Sequence, residues 1–475
     1  MPTMSKLAAA GGGPPGWADL PRDLLVSVLD RLPVPDRLRF PAVCAAWQSA
    51  AAAAGSAAAP LSPWLMLPFN PTARRGGGDA RFSEARFLSL AEGRAYAIRQ
   101  PAPAASDRVC VGSSPDGWLV TADACSELQL LNPVTGAQVR LPSVATLPFV
   151  GASHGADGRV VSYDLRCCFA DEGGCDGEVL IPPETLAPDR LRYEVYEKAV
   201  LVAAPRRIAP SGCWGGYAVL LICQPLSRLA VARAGDTEWT LLGTPARCWV
   251  DAAVRASSED GADGRQRRQA VYTMDAAGCV EAWDMDATPA AASRAIAPPC
   301  CCSARACAMS AASRRYLVEL APGHLLQVHR LCGAAHARHT WEPRPERVEY
   351  TTTGVELFEW KAGAAAEARD HDHLPRWTRV DGKSSSRVLG GRALFLGKNT
   401  SLCVPVDGGG GGLRGNCVYF TDDGPWSHER CHEVAPDVGV LDLAVGSYRP
   451  PPGGAARDLL WKWPPPVWVF PSLAD

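Results

Sequence analysis

The chain has 475 residues, of which 47% are hydrophobic and 21% are charged, and its formal net charge is −2 at pH 7. These values are typical of an ordinary globular protein with room for a small module and one large domain or two medium ones. A nucleic-acid-binding surface needs an excess of basic residues, but the 48 Lys and Arg residues are outnumbered by 50 Asp and Glu residues. We interpret the short basic cluster Arg265–Arg268 as a solvated loop and expect no nucleic-acid partner.

The first sixteen residues are rich in Ala, Gly and Pro and lack the basic start and apolar core of a signal peptide. We expect residues 1–16 to be disordered. No apolar run reaches the length of a membrane span, so we expect no membrane partner. The 18 cysteines are expected to be reduced thiols, since nothing directs the chain to an oxidising compartment. These features predict a cytoplasmic or nuclear protein.

The segment after residue 16 predicts three short helices. Pro21 suits the first position of a helix, and Asp23 places negative charge in its first turn. Pro33 and Pro35 end this helix, a second begins at Pro35, and a third begins at Pro41. The apolar residues of the first helix recur at helical spacing: Leu24, Leu25, Val28, Leu29 and Leu32.

The apolar surface of these helices exceeds what three helices in roughly forty residues can bury among themselves. Leu38 and Phe40 extend it along the second helix. Val43, Cys44 and Trp47 are three and four residues apart and are expected to share a face of the third helix. The surplus predicts a partner protein. The alternative is an N-terminal cap that packs on the rest of the chain.

Residues 17–55 resemble an F-box, the small helical module that docks substrate receptors onto the Skp1 adaptor of a cullin-RING ubiquitin ligase. The resemblance is carried by Leu20-Pro21, Leu24-Leu25, Leu32-Pro33, Asp36-Arg37-Leu38, Val43-Cys44 and Trp47. Pro41 and Ala45 depart from the pattern, since many F-boxes have a basic or polar residue at these positions.

The F-box resemblance implies that the chain selects a target protein, which another subunit of the ligase then modifies. Trp47 is expected to be the central anchor, because large aromatic side chains in desolvated pockets dominate such interfaces. The implied Skp1-binding residues are Leu20, Pro21, Leu24, Leu25, Val28, Leu29, Leu32, Leu38, Val43, Cys44 and Trp47.

From about residue 81 the hydrophobic period changes from helical to alternating, and we interpret residues 56–80 as a linker. Apolar runs come in pairs separated by turn residues, such as 117–121 with 128–131, and each pair predicts a hairpin. Antiparallel units that repeat every roughly 40 to 50 residues are typical of a β-propeller, and residues 81–475 have room for roughly six to eight blades. The alternative is a pair of β-sandwiches or a barrel.

Residues 112–142, with the turn Asn132-Pro-Val-Thr-Gly136, resemble the first blade of plant F-box proteins whose C-terminal half is a KIB-type β-propeller. Further matches are residues 397–401, 416–423 and 466–472. The resemblance implies a small all-α F-box of three helices followed by an all-β propeller. It also implies a substrate-recognition subunit of an SCF-type (Skp1-cullin-F-box) ligase, whose propeller binds a target protein that the sequence does not identify. The alternative is a scaffold protein outside the ligase, with a degenerate F-box.

Motifs for catalysis or metal binding are weak. The stretch 151–155 fits the Gly-x-Ser-x-Gly elbow of esterases, but a turn and strand-like residues follow where a helix is needed, so we expect Ser153 not to be catalytic. No glycine-rich phosphate-binding motif stands between a strand and a helix. A glycosidase would need two facing carboxylates, and no paired acidic motif stands out. We therefore predict a non-catalytic adaptor.

Two clusters contain side chains that can bind metal. They lack the two ligand pairs at the spacing of a closed zinc site. We therefore expect no metal and no cofactor. The clusters are Cys300–Cys302 with Cys307, and His428 with Cys431 and His432.

Overall fold

A computed structural model of the chain describes residues 16–32, 34–54, 62–67, 82–101, 108–166, 168–169, 179–180, 183–208, 210–243, 247–255, 270–285, 293–300, 313–336, 348–361, 376–406, 412–423, 437–451 and 466–472. The chain divides into two compact units, one ending at Leu61 and the other beginning at Ser62. In these described ranges, no helix is long and apolar enough to cross a membrane.

The first unit contains the three expected α-helices. They are α1 (Arg22–Arg31), α2 (Val34–Arg39) and α3 (Ala45–Ala54), with 3₁₀ turns at Trp17–Asp19 and Phe40–Ala42. Pro21 is the N-cap of α1, one position earlier than expected. The expected start of the third helix at Pro41 is wrong, because Pro41 lies in the second 3₁₀ turn. Val43 and Cys44 therefore precede α3 and do not share a helical face with Trp47.

The core of the first unit consists of Leu25, Leu29, Phe40 and Ala50. Arg37 is also buried, and its guanidinium joins α2 to the end of α1. It donates hydrogen bonds to the carbonyl oxygens of Leu32 at 2.9 Å and Asp30 at 2.7 Å. These carbonyls lie at the negative end of the α1 dipole, so a cation there stabilises the helix.

The second unit consists of β-sheets. The first sheet has the order β3-β2-β1-β32 and contains strands from both ends of the unit: β1 (Trp64–Met66), β2 (Phe82–Ser89), β3 (Arg94–Pro101) and β32 (Val467–Val469). β1 lies in the segment 56–80 that was expected to be a linker.

Six further sheets have three to five strands. The second sheet contains β4 (Val109–Ser113), β5 (Leu119–Ala122), β6 (Leu128–Leu131) and β7 (Gln138–Arg140). The third contains β8 (Val150–His154), β9 (Val160–Leu165) and β12 (Glu184–Leu186). The fourth contains β13 (Tyr196–Ala203), β16 (Ala218–Cys223), β17 (Arg228–Arg233) and β18 (Thr240–Leu242). The fifth contains β19 (Trp249–Val254), β20 (Ala270–Asp275), β21 (Val280–Asp284) and β22 (Ser293–Ala297). The sixth contains β23 (Arg314–Ala321), β24 (His324–His336), β25 (Val348–Lys361) and β26 (Thr378–Val380). The seventh contains β27 (Ala393–Leu396), β28 (Leu402–Val404), β29 (Cys417–Phe420), β30 (Gly439–Asp442) and β31 (Ser447–Arg449).

Smaller elements lie between the strands of these sheets or between successive sheets. They are the two-stranded ribbons β10 (Cys168–Phe169) with β11 (Val179–Leu180) and β14 (Arg206–Ile208) with β15 (Cys213–Gly215), the helices α4 (Pro188–Glu194) and α5 (Gly382–Leu389), and a 3₁₀ turn at Val144–Thr146.

The predicted hairpins are confirmed by the strand pairing. Residues 117–121 and 128–131 supply β5 and β6, and the runs near residues 220, 272, 318 and 395 supply four further antiparallel pairs. One sheet departs from the antiparallel expectation, because β27 and β29 pair in parallel, with Leu394 opposite Val418.

Apolar clusters lie between sheets that follow one another in the chain. One joins the sheets of β4, β8 and β13, and four more join β13 to β19, β19 to β23, β23 to β27, and β27 to the first sheet. Strands covered on both faces have continuous apolar runs, and all six residues of β16 are buried. The first and second sheets meet where Ser113 donates a hydrogen bond to the carbonyl oxygen of Trp468 at 2.5 Å.

Candidate functional site

The predicted Skp1-binding residues differ widely in exposure. Leu25 and Leu29 are 1% and 5% exposed and belong to the core of the first unit. Leu24 and Val43 are 48% and 57% exposed, and Pro21 is exposed as well. The others for which the structure describes side chains are partly buried: Leu20, Val28, Leu32, Cys44 and Trp47. The side chain of Leu38 lies outside the described residues.

Trp17 is the residue of this unit that sequence reasoning missed. Its side chain is 74% exposed, and its carbonyl oxygen accepts a hydrogen bond from Nε1 of Trp47 at 3.0 Å. The Trp47 ring packs on Phe40 with a centroid distance of 4.4 Å. Trp47 therefore supports the position of Trp17. The signal in the sequence was an aromatic residue three positions before the Leu20-Pro21 pair.

A second concentration of functional groups lies in the interior of the sheet unit, around the fully buried carboxylate of Asp251 on β19. The ammonium of Lys198 on β13 forms an ion pair with Oδ1 at 2.6 Å. The hydroxyl of Ser401 and the backbone N–H of Leu317 on β23 each donate to Oδ2 at 2.8 Å. One carboxylate therefore links the first strands of three successive sheets to the segment 397–401. We call Lys198, Asp251 and Ser401 the polar centre.

The segment 397–401, singled out from the sequence, connects β27 to β28 and reaches three other sheets. Thr400 donates its backbone N–H to the carbonyl oxygen of Ser113 on β4 at 2.8 Å, and the ammonium of Lys398 donates to the carbonyl oxygen of Glu197 on β13. Burial lowers the pKa of Lys398. Gly397 has φ +148, and a Cβ there would lie 2.1 Å from Oγ1 of Thr421, so glycine is required.

An adjacent ionic cluster surrounds Asp423, directly after β29. Its Oδ1 lies 3.2 Å from Nη2 of Arg330 and 3.8 Å from Nε of Arg314, and it accepts a hydrogen bond from the Tyr316 hydroxyl at 3.1 Å. Burial opposes the ionisation of Asp423, but the two guanidiniums hold its pKa below the ordinary value. The carboxylates of Asp251 and Asp423 are thus both held in ion pairs that join strands, which is a structural arrangement.

Within the described residues, the structure places the weak catalytic and metal-binding motifs in no functional geometry. Ser153 lies on β8, which continues through a turn into β9, so the helix that an esterase elbow needs does not follow it. Among the described residues, no group of three or more His, Cys, Asp or Glu side chains could hold a metal ion. Several residues of the two predicted clusters lie outside the described residues: Cys301, Cys302, Cys307, His428, Cys431 and His432.

Comparison with known families covers both units. The family model described as KIB1-4 beta-propeller matches residues 87–442, and the F-box domain model matches residues 17–53. A protein of Arabidopsis thaliana, named as an F-box protein, is 30% identical to this chain over 133 residues. These residues are 28% of this chain, and the match spans only 30% of the length of that relative.

Solved structures give weaker likenesses. The beta-propeller domain of Cps50 (Swd1) from Myceliophteria thermophila is 9% identical, with coverage of 72% of this chain and 85% of that chain and a TM-score of 0.26. The WD40 domain of SCAP from fission yeast is 10% identical, with coverage of 77% and 80% and a TM-score of 0.26. TM-scores this low carry no argument about this chain.

Proposed function

The chain belongs to the KIB1-4 beta-propeller family and carries an F-box domain, and from this we propose that it is the substrate-recognition subunit of an SCF-type ubiquitin ligase. The F-box binds a Skp1-like adaptor, and through it the cullin-RING ligase. The sheet unit binds the target protein in the cytoplasm or nucleus. Ubiquitin transfer belongs to other subunits, so the proposal assigns this chain no catalytic residue, cofactor or metal.

The observation that carries this proposal is the concentration of exposed apolar side chains on the first unit. Seven large apolar side chains among the described residues are exposed, and three of them, Trp17, Leu24 and Val43, belong to this small unit. We call these three residues the exposed apolar set. Apolar side chains concentrated on so small a unit are typical of a protein-protein interface.

The remaining predicted Skp1-binding residues have a different role in this proposal. Leu25 and Leu29 are the residues through which α1 packs into the core of the first unit. Their burial orients the helix so that Leu24 is exposed. Trp47 fixes Trp17 through the hydrogen bond from its indole. The proposed interface therefore has the exposed apolar set at its surface and the buried leucines beneath it.

We also propose that the seven larger sheets are the blades of one closed ring, within the range of roughly six to eight expected for a chain of this length. The apolar clusters between successive sheets support this arrangement. So does the pairing of β32 with β1, in which Trp468 lies opposite Leu65. Closure by the last strand protects the sheet edges that would otherwise be exposed.

Co-purification of the full chain with a Skp1 protein tests the proposed function. Leu24→Asp places a charge at an exposed position, where it leaves the core intact but must be desolvated in the complex. It should abolish capture, whereas Val445→Asp, at a 74% exposed position of the β30–β31 turn, should not. Equal capture of both variants, or no capture of the unmodified chain, would favour the scaffold alternative.

A further inference from the structure

The ribbon formed by β14 and β15 stands apart from the large sheets. It is inserted between β13 and β16, two strands that pair with each other, and no other described strand pairs with it. Its register places Arg207 opposite Trp214 and Ile208 opposite Cys213. Both of its backbone edges are thus without a partner strand in the part of the chain that the structure describes, and such edges can pair with an extended peptide.

The ribbon presents two arginines and an apolar side chain to solvent. Arg206 and Arg207 are exposed, and Ile208 is 52% exposed. The Arg207 guanidinium lies over the Trp214 ring, 4.4 Å from its centroid. Trp214 in turn packs edge-on against the buried ring of Trp118 at 5.3 Å. A guanidinium stacked on an anchored aromatic ring loses less conformational freedom when it binds a carboxylate.

Neither of these arginines forms an ion pair within the part of the chain that the structure describes, although Arg206 interacts electrostatically with Asp116. Arg207 donates a hydrogen bond to the carbonyl oxygen of Gly212 at 3.3 Å. Exposed arginines on other strands do have carboxylate partners, at 3.6 Å for Arg99 and 2.6 Å for Arg379. Within the described residues, the ribbon therefore presents two exposed guanidiniums that form no ion pair and can bind a carboxylate ligand.

We propose that the β14–β15 ribbon binds an acidic segment of the target protein. Carboxylates of this segment pair with Arg206 and Arg207, and a neighbouring apolar side chain packs on Ile208. An acidic occupant is favoured because bidentate arginine–carboxylate pairs match the donors on the ribbon. The identity of the occupant as a ligase target rests on the proposed function, whereas its chemistry rests on the ribbon alone.

Three matched synthetic peptides test this chemistry on the full chain. They share the same leucines, and their intervening residues are Asp and Glu, Asn and Gln, or Lys. Fluorescence anisotropy should show the acidic peptide binding most tightly and the basic peptide most weakly, with an affinity that falls as salt is added. The double variant Arg206→Glu/Arg207→Glu should lose about tenfold or more in affinity for the acidic peptide and should prefer the basic one.

Two further variants and one parallel measurement make the result decisive. Ile208→Asp should weaken the acidic peptide, and Arg159→Glu, at an exposed position of the β8–β9 turn, should not. Circular dichroism establishes that each variant is folded. Equal affinity for the three peptides, or unchanged binding by the double variant, would overturn the proposal, as would binding only to a phosphorylated peptide or to anionic vesicles. Skp1 capture is measured on the same samples, so its loss alone would count against the proposed function and not against the ribbon.

Discussion

The polar centre makes a quantitative prediction about the sheet unit. Lys198→Met keeps the length of the side chain but removes the cation that neutralises Asp251, which is fully buried. Removing one partner of a buried ion pair leaves an uncompensated charge and destabilises a protein by about 3–5 kcal/mol. Urea-induced unfolding, followed by tryptophan fluorescence, should show this loss as a lower midpoint with an unchanged slope.

An exposed pair of the same length is the matched control. Nη2 of Arg379 lies 2.6 Å from Oε1 of Glu356, but the Arg379 side chain is 68% exposed. Arg379→Met should therefore cost about 0–1 kcal/mol. If Lys198→Met costs no more than Arg379→Met, burial does not determine the energetics of the pair and the reasoning is refuted.

A second variant separates the charge of Asp251 from its hydrogen bonds. Asp251→Asn is neutral but keeps an acceptor oxygen for the N–H of Leu317 and the hydroxyl of Ser401. The double variant Lys198→Met/Asp251→Asn should then be more stable than Lys198→Met alone. The two substitutions share one interaction, so their effects should not add, with a coupling energy of about 1–3 kcal/mol.

Three further predictions concern pH, closure and docking. Burial, with a smaller contribution from Arg315, lowers the pKa of His329 from 6.5 to about 4. Between these values the unfolded chain binds a proton that the folded chain does not, so the stability of the folded state should fall by up to about 3 kcal/mol as the pH decreases from 6.5 to 4. His329→Gln should flatten this dependence in urea titrations across that range. Truncation before Pro466 removes β32 and should lower the unfolding midpoint of the whole sheet unit, whereas a soluble truncated chain with an unchanged midpoint would contradict the closed ring. Trp47→Ala should weaken Skp1 binding about 30-fold and also destabilise the helical unit, because the ring packs on Phe40. Trp17→Ala should weaken binding without loss of stability. Calorimetry measures the binding of both variants, and circular dichroism measures their stability. If Trp17→Ala loses as much stability as Trp47→Ala, Trp17 is not a surface residue.

Local patterns were sufficient to predict the elements whose contacts are close in sequence. In the hairpin of β5 and β6, the alternating apolar residues and the turn residues lie within fifteen consecutive residues, and the two strands pair as expected. β1 was missed because three residues, Trp64 to Met66, are too few to show a period. The parallel pairing of β27 with β29 was also missed, since a sheet with hairpins on either side gives no sequence signal for a parallel neighbour.

The polar centre could not be predicted, because its members are far apart in sequence. Lys198, Asp251 and Ser401 each look like an ordinary polar residue beside an apolar strand, and only the fold brings them together. The exposed apolar set was predicted in part. Helical spacing identifies an apolar stripe, but it cannot divide the stripe into Leu25, which the unit buries, and Leu24, which it leaves exposed.

The segment 397–401 restricts where the proposed ring can bind a target. It contacts β4, β13 and β19, the first strands of three sheets, through Thr400, Lys398 and Ser401, and in the proposed ring it would therefore occupy the interior. A target segment threaded through this interior would have to displace Ser401 from Asp251 and leave buried polar groups unpaired, at about 1–3 kcal/mol each. The connections at the ends of the strands carry no such penalty. Target recognition is therefore expected on those connections, among which the β14–β15 ribbon has two exposed arginines without ion pairs to described carboxylates.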